Sequence, residues 1–214
     1  MFLDSFLDLI YKKKCMLCSC SKPVENYDNL LCKTCAGKIT YFSNHPFRIY
    51  EGVNIYSACI YSETVKELIQ MLKFSHRKKA SVVLAKILFN YYQKLNLDDD
   101  FIIVYPPSYF LKSAQRGYEH MFLIVKEFSK LTGLKYDKTL IKKIKNTKPQ
   151  YKVRDRFKNI KNSFKITRYT DKNILLIDDI TTSGATLEEI INCFNEKGIK
   201  NITCLTISKT INSF

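Results

Sequence analysis

Asp178 and Asp179 stand side by side where the apolar run NILLI (173–177) stops, and Thr181, Thr182, Ser183, Gly184, Ala185 and Thr186 follow at once. Adjacent carboxylates repel and raise each other's pKa unless something binds them. The hydroxyls of a ribose can donate to both, and Mg²⁺ can neutralise the pair. The hydroxyl-rich turn offers free N–H groups at the start of a helix, with the positive end of the helix dipole behind them. Gly184 lets the backbone approach an anion closely. One stretch therefore suits a sugar diol and its 5-phosphate. No G-x-x-x-x-G-K-[ST] and no G-x-G-x-x-G occurs, which argues against Walker-type and dinucleotide loops. The plain competing reading is a capped helix behind a solvated acidic turn.

A second constellation is Cys15-x-x-Cys18 and Cys32-x-x-Cys35. Two tight turns each present two thiolates, and four thiolates suit tetrahedral Zn²⁺ with no open position, so the metal is expected to be structural. Cys20 competes with Cys18, but C-x-C closes a tighter loop than a zinc turn uses. Cys59, Cys193 and Cys204 fall in expected strands or helices and read as core.

The elements that must position these groups read as follows. Residues 1–45 form a small cysteine-bearing module, HPFRIY (45–50) a linker, and residues 46–214 an α/β domain. Strands are expected at 53–61, 101–105, 173–177 and 201–208. Helices are expected at 62–74 behind a capping box from Ser62, at 80–95, at 117–133 ending on Gly133, and at 185–198. Strand–helix alternation with continuously apolar strands predicts a parallel sheet covered by helices on both faces, with ligands at the carboxyl ends of the strands. Residues 135–168 stand apart, with 13 Lys or Arg against Asp137 and Asp155 and no strong period.

Lys and Arg number 35 against 20 Asp and Glu, a net charge of +15, which favours a polyanionic partner. Only six of those bases are Arg, and Lys, Asn and Ile are abundant throughout, so composition alone accounts for part of the excess. Lys142, Lys143, Lys145, Lys152 and Arg154, interleaved with Tyr136, Tyr151, Phe157 and Phe164, suit single-stranded nucleic acid. The same bases also suit a loop closing on a phosphate, and KFSHRKK (73–79) extends either surface. The longest apolar runs fall short of a membrane span. The N-terminal Phe2, Leu3, Phe6, Leu9 and Ile10 share one helical face that packs on the protein itself, and the paired cysteines fit a reducing cytoplasm.

LLIDDITTSGAT (175–186) resembles the phosphoribosyl-pyrophosphate (PRPP) motif of type I phosphoribosyltransferases. Together with the leading cysteine pairs, ELIQMLKF (67–74), VYPP (104–107), QRGY (115–118) and RFKNIKNSF (156–164), it resembles the ComF family, over nearly the whole chain. That resemblance implies a zinc module joined to a type I phosphoribosyltransferase-like domain, linked to DNA uptake in natural transformation. It places Asp178 and Asp179 on the ribose, the residues from Thr181 to Thr186 on the 5-phosphate, and Tyr105, Arg116 and Gly117 on the pyrophosphate side. Arg156 and Asn159 would mark a mobile loop. It implies PRPP or a related ribose phosphate with Mg²⁺ as ligand, single-stranded DNA and DNA-uptake proteins as partners, and a cytoplasmic place, with membrane association through partners. Glu119 and His120 stand where the family continues Asn-Gln. Thr182 stands where purine-salvage relatives carry an Asp that accepts a proton, a task a hydroxyl does not perform. No hood for an acceptor base is recognisable, and His120 reads as a hydrogen-bonded helix residue. Ligand binding is therefore expected ahead of transfer. The rival readings are an active nucleobase-salvage transferase and a DNA-binding module with a vestigial PRPP pocket.

Overall fold

The computed structural model describes residues 14–21, 23–24, 27–97, 100–109, 117–146 and 153–211, with backbone alone at 23–24 and 153–156. The N-terminal helix expected before Lys14 lies outside them. A short hairpin, β1 (Pro23–Val24) and β2 (Leu31–Cys32), leads into a one-turn helix α1 (Lys33–Gly37). Then come β3 (Arg48–Tyr50), β4 (Val53–Ile60), α2 (Glu63–Phe74), α3 (Ala80–Tyr92), β5 (Phe101–Val104), α4 (His120–Thr132) and β6 (Lys135–Tyr136). The chain finishes with β7 (Ile141–Lys143), α5 (Val153–Ile160), β8 (Phe164–Ile166), β9 (Asn173–Thr181), α6 (Ala185–Glu196) and β10 (Ile202–Lys209).

The main sheet runs β3-β4-β10-β9-β5-β6 and is parallel except for the edge strand β3. This is the helix-flanked parallel sheet that the alternating pattern predicts. The stretch read as a linker supplies β3, antiparallel to β4, because Gly52 at φ 77° lets the chain reverse between them. Of the basic stretch 135–168, which has no period in sequence, Lys135–Tyr136 joins the main sheet as β6, while β7 and β8 pair into a separate small sheet with α5 between them in the chain.

Side chains alternate across β9, as a pleated strand requires. Leu175 and Ile177 join Leu205 and Ile207 beneath α2, α3 and α4. Ile174 and Leu176 join Cys204, Ile190 and Phe194 beneath α6. The buried α3 carries Tyr91, whose hydroxyl donates to Ser43 O at 2.6 Å, and Tyr92 meets Phe128 of α4 edge-on at 5.5 Å.

Three boundaries differ from the sequence reading. The helix expected at 117–133 begins at His120 rather than 117, because Glu119 keeps extended backbone. β9 continues through both aspartates to Thr181, paired with β10 as far as Thr181↔Lys209. Ser62 takes the N-cap position of α2, yet its hydroxyl makes no capping bond. Gly133 caps α4 in the left-handed region, as expected.

The cysteine turns do not pack apart from the sheet. Cys15, Leu31, Cys32, Cys35 and Ile39 belong to the same apolar cluster as Cys59, Leu84 and Leu88. Tyr27 and Tyr41 share a hydroxyl contact at 3.1 Å, and Arg77 donates to Met16 O at 3.2 Å. Leu31→Ala is therefore expected to destabilise the whole chain by about 2–4 kcal/mol. Urea unfolding followed by circular dichroism should show one shifted transition, and an unshifted midpoint would contradict this shared packing.

Candidate functional site

The carboxyl end of β9 opens on a cleft of about 750 Å³. Its walls come from four places: the end of α2 (Lys73, Phe74, His76), the loop after β5 (Pro106 to Tyr109), the start of α4 (His120, Met121), and the small sheet (Lys143, Phe164). Asp178, Asp179 and Thr186 form its floor. The small sheet thus provides the shaped wall that no sequence stretch announced.

Because β9 continues through the acid pair, consecutive side chains leave the strand in different directions. Asp179, buried, meets the helical side: its Oδ2 lies 2.5 Å from Lys73 Nζ and 2.9 Å from His120 Nε2. Asp178 is half-buried, and its Oδ1 accepts the Asp179 N–H at 2.9 Å. Burial, with the Asp179 charge adding to it, raises the Asp178 carboxyl to about 7, against the Asp179 N–H, Lys73 and Lys143. Burial alone would raise Asp179 as well, but Lys73 and His120 overcome it and hold that carboxyl well below the usual range.

The hydroxyl loop divides in two. Thr181 is buried as the last residue of β9, so the turn proper begins at Thr182, which is exposed. Gly184 adopts φ 82° as the N-cap of α6, whose N-terminus has no side-chain capping bond. The Ala185 N–H points at Ser183 Oγ at 3.4 Å. Arg48 of β3 holds the turn by donating to Ser183 O at 3.2 Å and pairing with Glu188 at 2.6 Å. A Cβ on Gly184 would meet the side-chain ends of Arg48 at 3.0 Å and Glu188 at 3.2 Å, which would have to give slightly, so it is chiefly the positive φ that favours glycine.

On the pyrophosphate side, Tyr105 is buried with its hydroxyl donating to Glu119 at 3.2 Å, and burial followed by that carboxylate pushes its phenol well above the ordinary value. Glu119 also accepts the Ser108 N–H at 2.7 Å, fixing the loop to the start of α4. Gly117 stands just before that start at φ 72°. Arg116 and Lys152 lie outside the described residues, as do the side chains of Arg154 and Arg156. Asn159 lies on α5 and is not among the residues that line the cleft. Lys142 and Lys145 are exposed, whereas Lys143 lines the cleft and sits 5.3 Å from the Phe164 ring.

Phe164, Glu119 and Arg48 were not assigned to this site from sequence, and Lys143 and the run containing Lys73 were read as suiting either single-stranded nucleic acid or a loop closing on a phosphate. Lys73 was visible only as part of a basic run, and nothing in that run distinguishes the one lysine that turns inward. His120 is the hydrogen-bonded helix residue expected, but the bond runs into the site.

The sulfur atoms of Cys15, Cys18, Cys32 and Cys35 all lie within 4.8 Å of one another, a spacing that fits four ligands around one ion. The Cys35 N–H donates to Cys32 Sγ at 3.4 Å and, as the largest influence, brings that thiol down to about 6. One oxygen of the acid pair, Asp179 Oδ2, already carries two nitrogen partners, Lys73 Nζ and His120 Nε2. Among the described residues the cysteines are the one cluster of metal-binding side chains.

No family model matches the chain. It is 25% identical over 203 residues to competence protein F of Haemophilus influenzae, covering 87% of each chain. The chain is also 24% identical over 160 residues to the DNA utilization protein YhgH of Escherichia coli, covering 71% of this chain and 70% of that one. The Salmonella typhimurium protein of the same name is 23% identical over 160 residues. These likenesses support assigning the chain to the ComF family.

The acid pair generates a pH prediction with a definite sign. A carboxyl raised from near 4 to about 7 costs stability as pH climbs through that window, since the folded state resists losing the proton. Asp178→Asn keeps an oxygen for the Asp179 N–H and removes the cost. The variant should be more stable than the parent by on the order of 1–3 kcal/mol at pH 8, with the gap closing towards pH 4. Thermal melts across that range check this, and a gap that widens on acidification would refute it.

Proposed function

We propose that the chain binds PRPP or a related ribose 5-phosphate in the cleft at the carboxyl end of β9, and that it acts in the handling of incoming DNA. The observation that carries the ligand is the convergence on one cleft of a carboxylate pair, a helix N-terminus behind a glycine turn, and Lys73 and Lys143. Asp178 would accept from the ribose hydroxyls. The turn from Thr182 to Thr186 would take the 5-phosphate on N–H groups of α6. Lys73, Lys143 and the loop held by Glu119 would face the pyrophosphate.

The DNA role rests on the relatives, whose names are competence protein F and DNA utilization protein. Exposed Lys142 and Lys145, close in the chain to the cleft-lining Lys143, support contact with single-stranded DNA. Binding is favoured over transfer because Thr182, at the position of the salvage acid, is an exposed hydroxyl. The four cysteines would hold a structural zinc ion that braces the turns against the core.

Calorimetric titration with PRPP should show saturable binding to the parent protein that weakens by about tenfold or more in Asp178→Asn/Asp179→Asn. Parent protein that takes up no PRPP overturns the cleft reading. Salt-dependent DNA binding that is unaffected by the double substitution would then favour a DNA-binding module with a vestigial pocket, and pyrophosphate release on adding a nucleobase would favour a salvage transferase. For the cysteines, one equivalent of zinc should leave on treatment with a strong chelator, and the melting temperature of the entire chain should fall with it. Metal analysis showing no zinc in freshly purified protein would remove that assignment.

A further inference from the structure

We infer that Lys73, assisted by His120, takes the place of a divalent cation at the acid pair, so that the cleft holds its phosphorylated pentose without bound Mg²⁺. The inference rests on the ribose-phosphate reading above and adds to it the way the site is neutralised.

The geometry is specific. Lys73 sits in the last turn of α2 and reaches Asp179 Oδ2 at 2.5 Å, with its side chain 22% exposed towards the cleft. His120 begins α4 and brings Nε2 to the same oxygen at 2.9 Å. A Mg²⁺ ion bound to that oxygen would need to lie at about 2.1 Å, against an ammonium that already occupies the approach. The two positive centres would repel at close range in a buried setting, where screening is weak. The Asp178 Oδ1 is likewise engaged, by the Asp179 N–H.

Charge balance points the same way. Asp178 and Asp179 are faced by the ammonium groups of Lys73 and Lys143, with His76 and His120 in the walls. The two lysines at least match the acid pair, because the raised Asp178 carboxyl carries only part of its charge near neutrality, so a phosphate group entering the cleft meets no net negative charge that a metal would have to offset. Lys73 comes from α2 and Lys143 from β7, so the fold supplies the balance from two elements that are distant in sequence.

The test uses ribose 5-phosphate as the principal probe, because PRPP carries a diphosphate that chelates Mg²⁺ by itself. Affinities are measured by calorimetry in EDTA and in excess Mg²⁺, for the parent, Lys73→Met and Lys73→Arg, with PRPP run in parallel. The parent is expected to differ by less than about threefold between the two conditions, and so is Lys73→Arg. Lys73→Met is expected to weaken by about tenfold or more in EDTA and to recover when Mg²⁺ is supplied, a gain of metal dependence that a merely structural lysine would not produce. If Lys73→Met does not melt cooperatively, Lys73→Gln is measured in its place. Parent protein that binds ribose 5-phosphate only with Mg²⁺ overturns the inference and leaves the cleft reading standing. Equal, metal-independent binding by parent and Lys73→Met overturns the role of Lys73. Failure of the parent to bind either probe in either condition overturns the cleft reading itself, and the inference with it.

Discussion

A carboxylate buried at the end of a central strand is tolerated only when its charge is met, and the ion pair of Asp179 with Lys73 and His120 meets it. Much of the local architecture follows from that contact. It requires the last turn of α2 and the first residue of α4 to converge on the end of β9, although the three segments are far apart in sequence. The same convergence opens the cleft between them. It also separates the roles of two neighbouring acids: Asp179 serves as the internal counter-charge, and Asp178 is left with the cleft.

Around this centre the other contacts fix loops that would otherwise wander. Glu119 gives up its place in α4 and clamps the segment after β5 through the Ser108 N–H and the Tyr105 hydroxyl. Arg48 reaches from the antiparallel edge strand to the turn before α6, bonding Ser183 O and Glu188. Both are charge-assisted contacts from outside the acidic motif, and both hold backbone near the site in one arrangement. The small sheet closes the fourth side with Lys143 and Phe164, in a segment whose bases suited either single-stranded nucleic acid or a loop closing on a phosphate.

The cysteine module depends on the same body of the protein. It has too few apolar residues for a core of its own, and Leu31, Cys32 and Cys35 share the cluster that lies under α3. Four thiols gathered within 4.8 Å, three of them buried in that cluster, make the ligand set part of the packing.

The sequence by itself determined the elements and the motifs. Apolar strands, helical periods and glycine stops placed β4, β5, β9, β10, α2, α3 and α6 within a few residues, because burial on both faces of a parallel sheet and one face of a helix leaves a periodic trace. The spacing of Cys15, Cys18, Cys32 and Cys35 and the run from Asp178 to Thr186 were legible for the same reason: their chemistry is local. What tertiary structure alone decided was everything that joins distant segments. Lys73 looks like any other member of KFSHRKK until α2 docks on the sheet and aims it inward. Arg48 belonged to a supposed linker until pairing with β4 made it a strand, and β7 and β8 are too short to show a period. A two-residue repeat continuing through Asp178 and Asp179 sends their side chains to different neighbours, and only hydrogen bonding to β10 carries the strand that far.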